Sequence, residues 1–187
     1  MHSHGIEPDE PVAKVRSGQE GSAPRPRPAT QTFRGVTRGF AVSEELSAAL
    51  HGLAQRHGAT LFMTLLAAFQ ALLGRYSGQD DLVVGTGTGG RGRIEAESLI
   101  GCFINILLLR ADLASPGSFG ELLDRTREST LGAFAHQDLP FELLVDALEV
   151  ERDPSANPLA QVMLVLLNVP PVHLRLVGDL DVEGVRI

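Results

Sequence analysis

From Phe33 onward the apolar positions fall into two periods. Leu46, Leu50, Leu53 and Ala54 recur at helical spacing behind Ser43, whose hydroxyl can cap a helix, and Gly58 supplies a stop. Thr60 caps a second predicted helix over residues 61–76. It is apolar nearly all round, and such a helix must be covered on most sides. Residues 82–84 and 103–109 read as strands. Their apolar residues run continuously rather than alternating, as expected where a sheet is covered on both faces. After a turn at residues 114–117, Ser118 caps a third helix with the stripe Phe119, Leu122, Leu123, Thr126, Leu131 and Phe134. Pro140 sits in the first turn of a fourth, with Phe141, Leu144, Val145 and Leu148 facing inward. Residues 162–167 are a third strong strand, and the tail alternates weakly around a turn at Gly178-Asp179. The order helix, helix, strand, strand, helix, helix, strand predicts a layered α/β domain.

The first 31 residues break this pattern. They are polar, rich in proline and without an aromatic side chain, so they cannot bury enough apolar surface to offset the entropy of ordering. A disordered leader or linker is expected there, with a stiff solvated spacer at Pro24-Arg25-Pro26-Arg27-Pro28. No apolar stretch behind a basic start marks a secretory signal, and the run at residues 61–73 is too short for a bilayer. The expected location is cytoplasmic. The chain has 187 residues, 43% of them hydrophobic, enough for one domain with a core. A net charge of −7 argues against a nucleic-acid partner, which would demand clustered Lys and Arg. Cys102 is the only cysteine, so no internal disulfide forms, and its apolar setting predicts a buried, inert thiol.

The run Gly85-Thr86-Gly87-Thr88-Gly89-Gly90 follows a predicted strand. Gly85, Gly87 and Gly90 match the spacing of a dinucleotide-binding turn, with Asp112 near the distance expected for a ribose partner. An oxidoreductase using the 85–90 loop is therefore one reading. Against it, the segment that should open as a helix on the pyrophosphate begins Arg91-Gly92-Arg93. No Gly-Lys-Ser/Thr follows, so the run is not a P-loop. The histidines show no partner pattern for a metal.

A second reading starts from His136-Gln137-Asp138-Leu139-Pro140-Phe141-Glu142, followed by Arg152-Asp153-Pro154-Ser155-Ala156-Asn157-Pro158-Leu159. This pair resembles a signature of the condensation domains of nonribosomal peptide synthetases. Two further stretches share the resemblance, which runs from about Arg38 to Pro170. One is Val83-Val84-Gly85-Thr86 leading to Gly90-Arg91, although the family usually has Pro, an apolar residue and a small residue where Gly87, Thr88 and Gly89 stand. The other is Leu99-Ile100-Gly101-Cys102-Phe103-Ile104-Asn105-Ile106-Leu107-Leu108-Leu109-Arg110.

The resemblance implies a chloramphenicol-acetyltransferase-like layered sandwich. Residues 32–187 would form a partial C-terminal lobe, incomplete at its C-terminus. In the family, two lobes form a V and join carrier-bound acyl or aminoacyl groups by an amide bond. The family's catalytic string, two adjacent histidines followed three residues later by Asp-Gly, occurs nowhere in this chain. The implied function is a fragment supporting amide-bond formation without its base. The implied partners are the histidine-bearing N-terminal lobe and peptidyl carrier proteins with their phosphopantetheine arms, with no cofactor bound by the chain itself. Gly85, Thr86, Thr88 and Asn105 would line the substrate tunnel. Asn105, the one polar side chain in its strand, could equally be an amide satisfying neighbouring backbone. His136, Gln137, Asp138, Pro140, Phe141, Glu142, Arg152, Asp153, Asn157 and Pro158 would be structural. His136 would meet the last carbonyls of the third helix, and Asp138 would cap the fourth. A carrier-binding module without chemistry, or an inactive gene remnant, stays open as an alternative.

Overall fold

The computed structural model describes residues 35–89, 101–114, 117–150, 156–167, 174–175 and 181–182. The expected leader at 1–31, the Arg91-Gly92-Arg93 stretch and the motif residues Arg152 and Asp153 lie outside them. Helices α1 (Glu44–Arg56) and α2 (Leu61–Ser77) come first, then strands β1 (Asp81–Thr88) and β2 (Asn105–Asp112). Helices α3 (Phe119–Ala135) and α4 (Phe141–Ala147) follow, and a short pair, β3 (Leu174–Arg175) and β4 (Asp181–Val182), is the last of the described elements.

Caps fix the helix ends. Ser43 accepts from Leu46 N–H, Thr60 from Met63 N–H and Ser118 from Glu121 N–H, each at 3.2 Å. Past α1, Ala59 N–H donates to Ala54 O and Gly58 N–H to Gln55 O, while Gly58 takes φ 58°. That pattern turns the chain sharply and needs a left-handed residue, which glycine supplies at no steric cost. The turn is held to α3 twice, by His57 Nδ1 on Asp124 Oδ1 at 2.9 Å and by Arg127 Nε donating to Gly58 O at 3.0 Å.

Strands β1 and β2 are antiparallel, with Val84 opposite Leu109 and Thr88 opposite Asn105. The strand expected at residues 162–167 is reduced to a single parallel bridge with β1, where Gly85 N–H donates to Val162 O and Leu164 N–H to Gly85 O, both at 2.9 Å. Gly85 permits this approach. A Cβ there would stand 3.3 Å from both Ala160 Cβ and Met163 Cγ.

One helical layer covers one face of the sheet. Leu66 of α2 meets Val84 and Leu109, with Ala133 and Leu164 packed against them, while Met63 and Ala67 meet Leu122 and Leu123 of α3. Burial removes these side chains from water at about 25 cal/mol per Å² of apolar area. Between α2 and α3, Gln70 and Thr126 are buried too, and the Thr126 hydroxyl donates to Gln70 Oε1 at 3.1 Å.

Four expectations are corrected. Strand β2 alternates: Leu107, Leu109 and Ala111 are buried while Ile106 and Leu108 are half-buried and Arg110 and Asp112 exposed, so the sheet is fully covered on one face only among the described residues. The buried stripe of α3 is Leu122, Leu123, Thr126 and Thr130, leaving Phe119 and Leu131 partly in water. Cys102 is exposed, because β2 begins only at Asn105 and the residues before it are not yet in the sheet. Finally, Gly85 and Gly87 are not in a phosphate-binding turn. They sit inside β1, paired with Leu108 and Ile106 of an antiparallel neighbour, which removes the strand-turn-helix geometry a dinucleotide requires. No described helix is long and apolar enough to cross a membrane, and α1 and α2, which together approach that composition, bend by 101°.

Candidate functional site: the corner held by Asn105

Thr88 and Asn105 face each other at the open end of the β1–β2 pair, and cross-strand partners share a face of the sheet. Against them lies the corner between α3 and α4. Asn105 Nδ2 donates to Gln137 O at 2.8 Å and to Leu139 O at 2.7 Å, and its Oδ1 accepts from Phe141 N–H at 3.1 Å. Both amide hydrogens and the carbonyl oxygen are therefore engaged. The Thr88 hydroxyl donates to Gln137 Oε1 at 3.0 Å. One asparagine thus grips three backbone groups of the corner, and one threonine holds the side chain between them.

The expected structural motif falls on this corner. His136 ends α3, and its Nδ1 is 2.9 Å from Gly132 O, the carbonyl one turn back. It meets the helix end as the sequence suggests, which requires Nδ1 to carry the proton. Asp138 departs from expectation. Its carboxylate is exposed and caps nothing among the described residues; the first free N–H of α4, that of Phe141, goes to Asn105 instead. Pro140 occupies the N-cap position with φ −61°, and Glu142 adds a negative charge to the first turn of α4, where the helix dipole favours it. Phe141 is half-buried, and with Ile106, Leu108, His136 and Leu144 it lines a shallow apolar recess of about 120 Å³.

Asn157 and Pro158 are exposed but lead into a tight turn. Leu159 takes φ 63°, and Ala160 N–H donates to Pro158 O at 2.7 Å. The turn delivers Ala160, buried, onto Gly85 and sends residues 162–164 along β1. Left-handed backbone at a leucine stores strain on the order of 1 kcal/mol, which the packed contacts on either side must hold. Of the residues expected beside a tunnel, Gly85 and Thr86 are buried, Gly85 beneath Ala160 and Met163; Thr88 and Asn105 stand at the strand end.

Three described histidines exist, His51, His57 and His136, and each has Nδ1 within 2.9 Å of a protein oxygen: Ser47 O, Asp124 Oδ1 and Gly132 O. At the far end of the sheet Arg110 makes a bidentate pair with Asp81, two contacts of 2.8 Å. Hydrogen bonding to Arg110 holds the Asp81 carboxyl below its ordinary range and raises the guanidinium in return. Both side chains are about half exposed, so the pair is screened. Sequence reasoning missed both the Gln70–Thr126 pair and Thr88–Gln137; a lone glutamine within an apolar helical run was the available signal for the first.

Comparison with known proteins fixes the class. The family model described as Condensation domain matches residues 15–175. The chain therefore belongs to the condensation-domain family, and its described α/β layers are those of the chloramphenicol-acetyltransferase-like fold. It is 58% identical over 146 residues to one of the linear gramicidin synthase proteins of Brevibacillus parabrevis, covering 78% of this chain and 3% of that one. It is 48% identical over 156 residues to chondramide synthase cmdD of Chondromyces crocatus, covering 83% and 4%. Among solved structures, a four-domain nonribosomal peptide synthetase, holo-AB3403 bound to AMP and glycine, matches with TM-score 0.75 and 30% identity over 82% of this chain and 13% of that one. The X-domain from teicoplanin biosynthesis matches with TM-score 0.72 and 32% identity over 78% and 33%. The chain spans only a few per cent of the length of the synthetases it matches.

Proposed function

We propose that this chain forms one wall of a condensation site in nonribosomal peptide synthesis, with the base supplied by a histidine-bearing lobe that it does not contain. The observation that carries the reading is the grip of Asn105 on the α3–α4 corner, which joins two of the family's signature stretches into a single rigid unit. A wall needs fixed backbone. It does not need a free catalytic group, and none of the three described histidines belongs to the family's catalytic string. In this reading Thr88 and Asn105 shape the tunnel by holding the corner, while Gly85 and Thr86 form packing behind it. The substrates are acyl or aminoacyl groups on phosphopantetheine arms of carrier proteins, in the cytoplasm. The acceptor amine is deprotonated or positioned by the histidine lobe as it attacks the thioester.

The test is reconstitution. The purified chain, loaded donor and acceptor carriers, and a histidine-bearing lobe are combined, and dipeptide is followed by mass spectrometry. Dipeptide that requires both the chain and the lobe supports the reading. Carrier capture with no dipeptide in any combination leaves the binding-module reading in its place.

A further inference from the structure

The end of β1 that reaches the α3–α4 corner is built with few side chains. Gly85, Gly87 and Gly89 alternate with Thr86 and Thr88, and glycine gives up more conformational freedom on ordering than any other residue. Gly85 is fixed from both sides, opposite Leu108 of β2 and against residues 162–164. Beyond it the strand is loosely surrounded among the described residues: a Cβ on Gly87 would touch Ile104 Cγ2 at 3.9 Å, and one on Gly89 would meet nothing within 4 Å. Thr86 is buried, so Thr88 is the last side chain that can anchor the exit of the strand.

Three residues close a ring at that exit. Thr88 and Asn105 are the final partners in the β1–β2 register. Thr88 Oγ1 donates to Gln137 Oε1 at 3.0 Å, and Asn105 Nδ2 donates to Gln137 O at 2.8 Å. The N–H of Gln137 donates in turn to Phe134 O at 3.3 Å, inside α3. Gln137 is thus bonded to both strands and to the end of α3, its side chain serving β1 and its main chain serving β2 and the helix. The two strands are held unequally: Asn105 binds the corner through three groups, Thr88 through one.

We infer that Gln137 is a positioning residue: its side-chain oxygen clasps Thr88 and so fixes the glycine-rich exit of β1 against the corner. The inference rests on the condensation reading, in which that exit is part of the wall. A wall orients a reacting group only where its own backbone is held, and a misplacement on the order of 1 Å costs about 100-fold in rate. Without the clasp the two strands behave differently. Strand β2 stays on the corner through Asn105, whereas β1 beyond Gly85 opens by itself, a local event rather than unfolding.

Amide hydrogen exchange in the full chain tests it. The N–H of Gly85 turns to Val162, so the alternating N–H groups of Val84, Thr86 and Thr88 turn to β2 and report on the two halves of β1 separately. Thr88→Val should speed exchange at Thr86 and at position 88, corrected for intrinsic rates, by about two- to tenfold, the scale of one neutral hydrogen bond, and leave Val84 unchanged. Gln137→Leu should do the same, and the double variant no more than either alone. Thr88→Ser and Gln137→Glu keep the donor and the acceptor and should stay near wild type. With loaded carriers and the histidine-bearing lobe, dipeptide turnover should fall about tenfold in Thr88→Val and recover in Thr88→Ser. If Gln137→Leu loses its circular dichroism, Thr88→Val decides alone, since it matches the native side chain in shape. The inference is overturned by unchanged exchange in Thr88→Val, by an equal rise at Val84, by additive effects in the double variant, or by faster exchange with turnover intact. No dipeptide from the wild-type chain with the lobe counts against the condensation reading instead, and the exchange comparison then decides the clasp by itself.

Discussion

The side chain of Asn105 touches more of the site than any other. Its amide serves Gln137 O, Leu139 O and Phe141 N–H, so truncation strands three backbone groups that the rest of the fold holds in place. Asn105→Ala should cost about 2–3 kcal/mol in urea unfolding, the scale for leaving part-buried partners unpaired. Asp138→Ala, by contrast, removes an exposed carboxylate that caps nothing among the described residues and should stay within about 0.5 kcal/mol of wild type. Equal costs for the two would show that the corner is not held as described. Charge gives a second residue-level prediction. Asp81 has its carboxyl lowered by Arg110, so the pair contributes stability above the carboxyl's unfolded value, about 3.9, and loses it as pH falls through the lower folded value. Both partners are half exposed, so Asp81→Asn should cost under about 1 kcal/mol at pH 7. The difference from wild type should shrink towards zero in strong acid, and a difference that grows there would contradict the pairing.

At the scale of elements, α2 and α3 are joined by a polar pair inside an apolar interface. Gln70→Leu alone leaves the Thr126 hydroxyl without its acceptor, and Thr126→Val alone leaves the Gln70 oxygen without its donor. Each should cost about 1–3 kcal/mol, and the double variant should cost less than the sum, because replacing both partners by apolar groups leaves nothing unsatisfied. Additive costs in thermal or urea unfolding would mean that the pair is not coupled. The strand contact at Gly85 gives a further expectation: Gly85→Val pushes a branched side chain into Ala160 and Met163 and should destabilise by about 1–3 kcal/mol. These elements differed in how far they could be read beforehand. The order of helices and strands, the caps at Ser43, Thr60 and Ser118, and the stop at Gly58 follow from local chemistry, which a single chain displays. The length of β1, the cover on one face of β2 and the exposure of Cys102 depend on which strands lie beside which. Asn105 shows the same boundary: its place as the one amide in an apolar strand marked it for partners, but the corner it grips is 32 to 36 residues away.

The whole chain joins a condensation-domain fold to a sequence without the two-histidine string, and the proposed reading makes it a wall whose base lies elsewhere. The histidine of the family signature, His136, is bonded to Gly132 O at the end of α3, and the corner beside it is gripped by Asn105. One described histidine does carry a carboxylate partner, His57 with Asp124, but that pair clips the α1–α2 turn onto α3, far along the helix from the Asn105 corner. Among the described residues it is the strongest rival for a base, so it belongs in the decisive experiment. The purified chain alone is mixed with aminoacyl-loaded donor and acceptor carriers, and dipeptide is quantified by mass spectrometry beside a His57→Ala variant. The account predicts no dipeptide above the uncatalysed background from either protein. Dipeptide formed by the wild-type chain and lost in His57→Ala would contradict it, because the chain would then hold its own base.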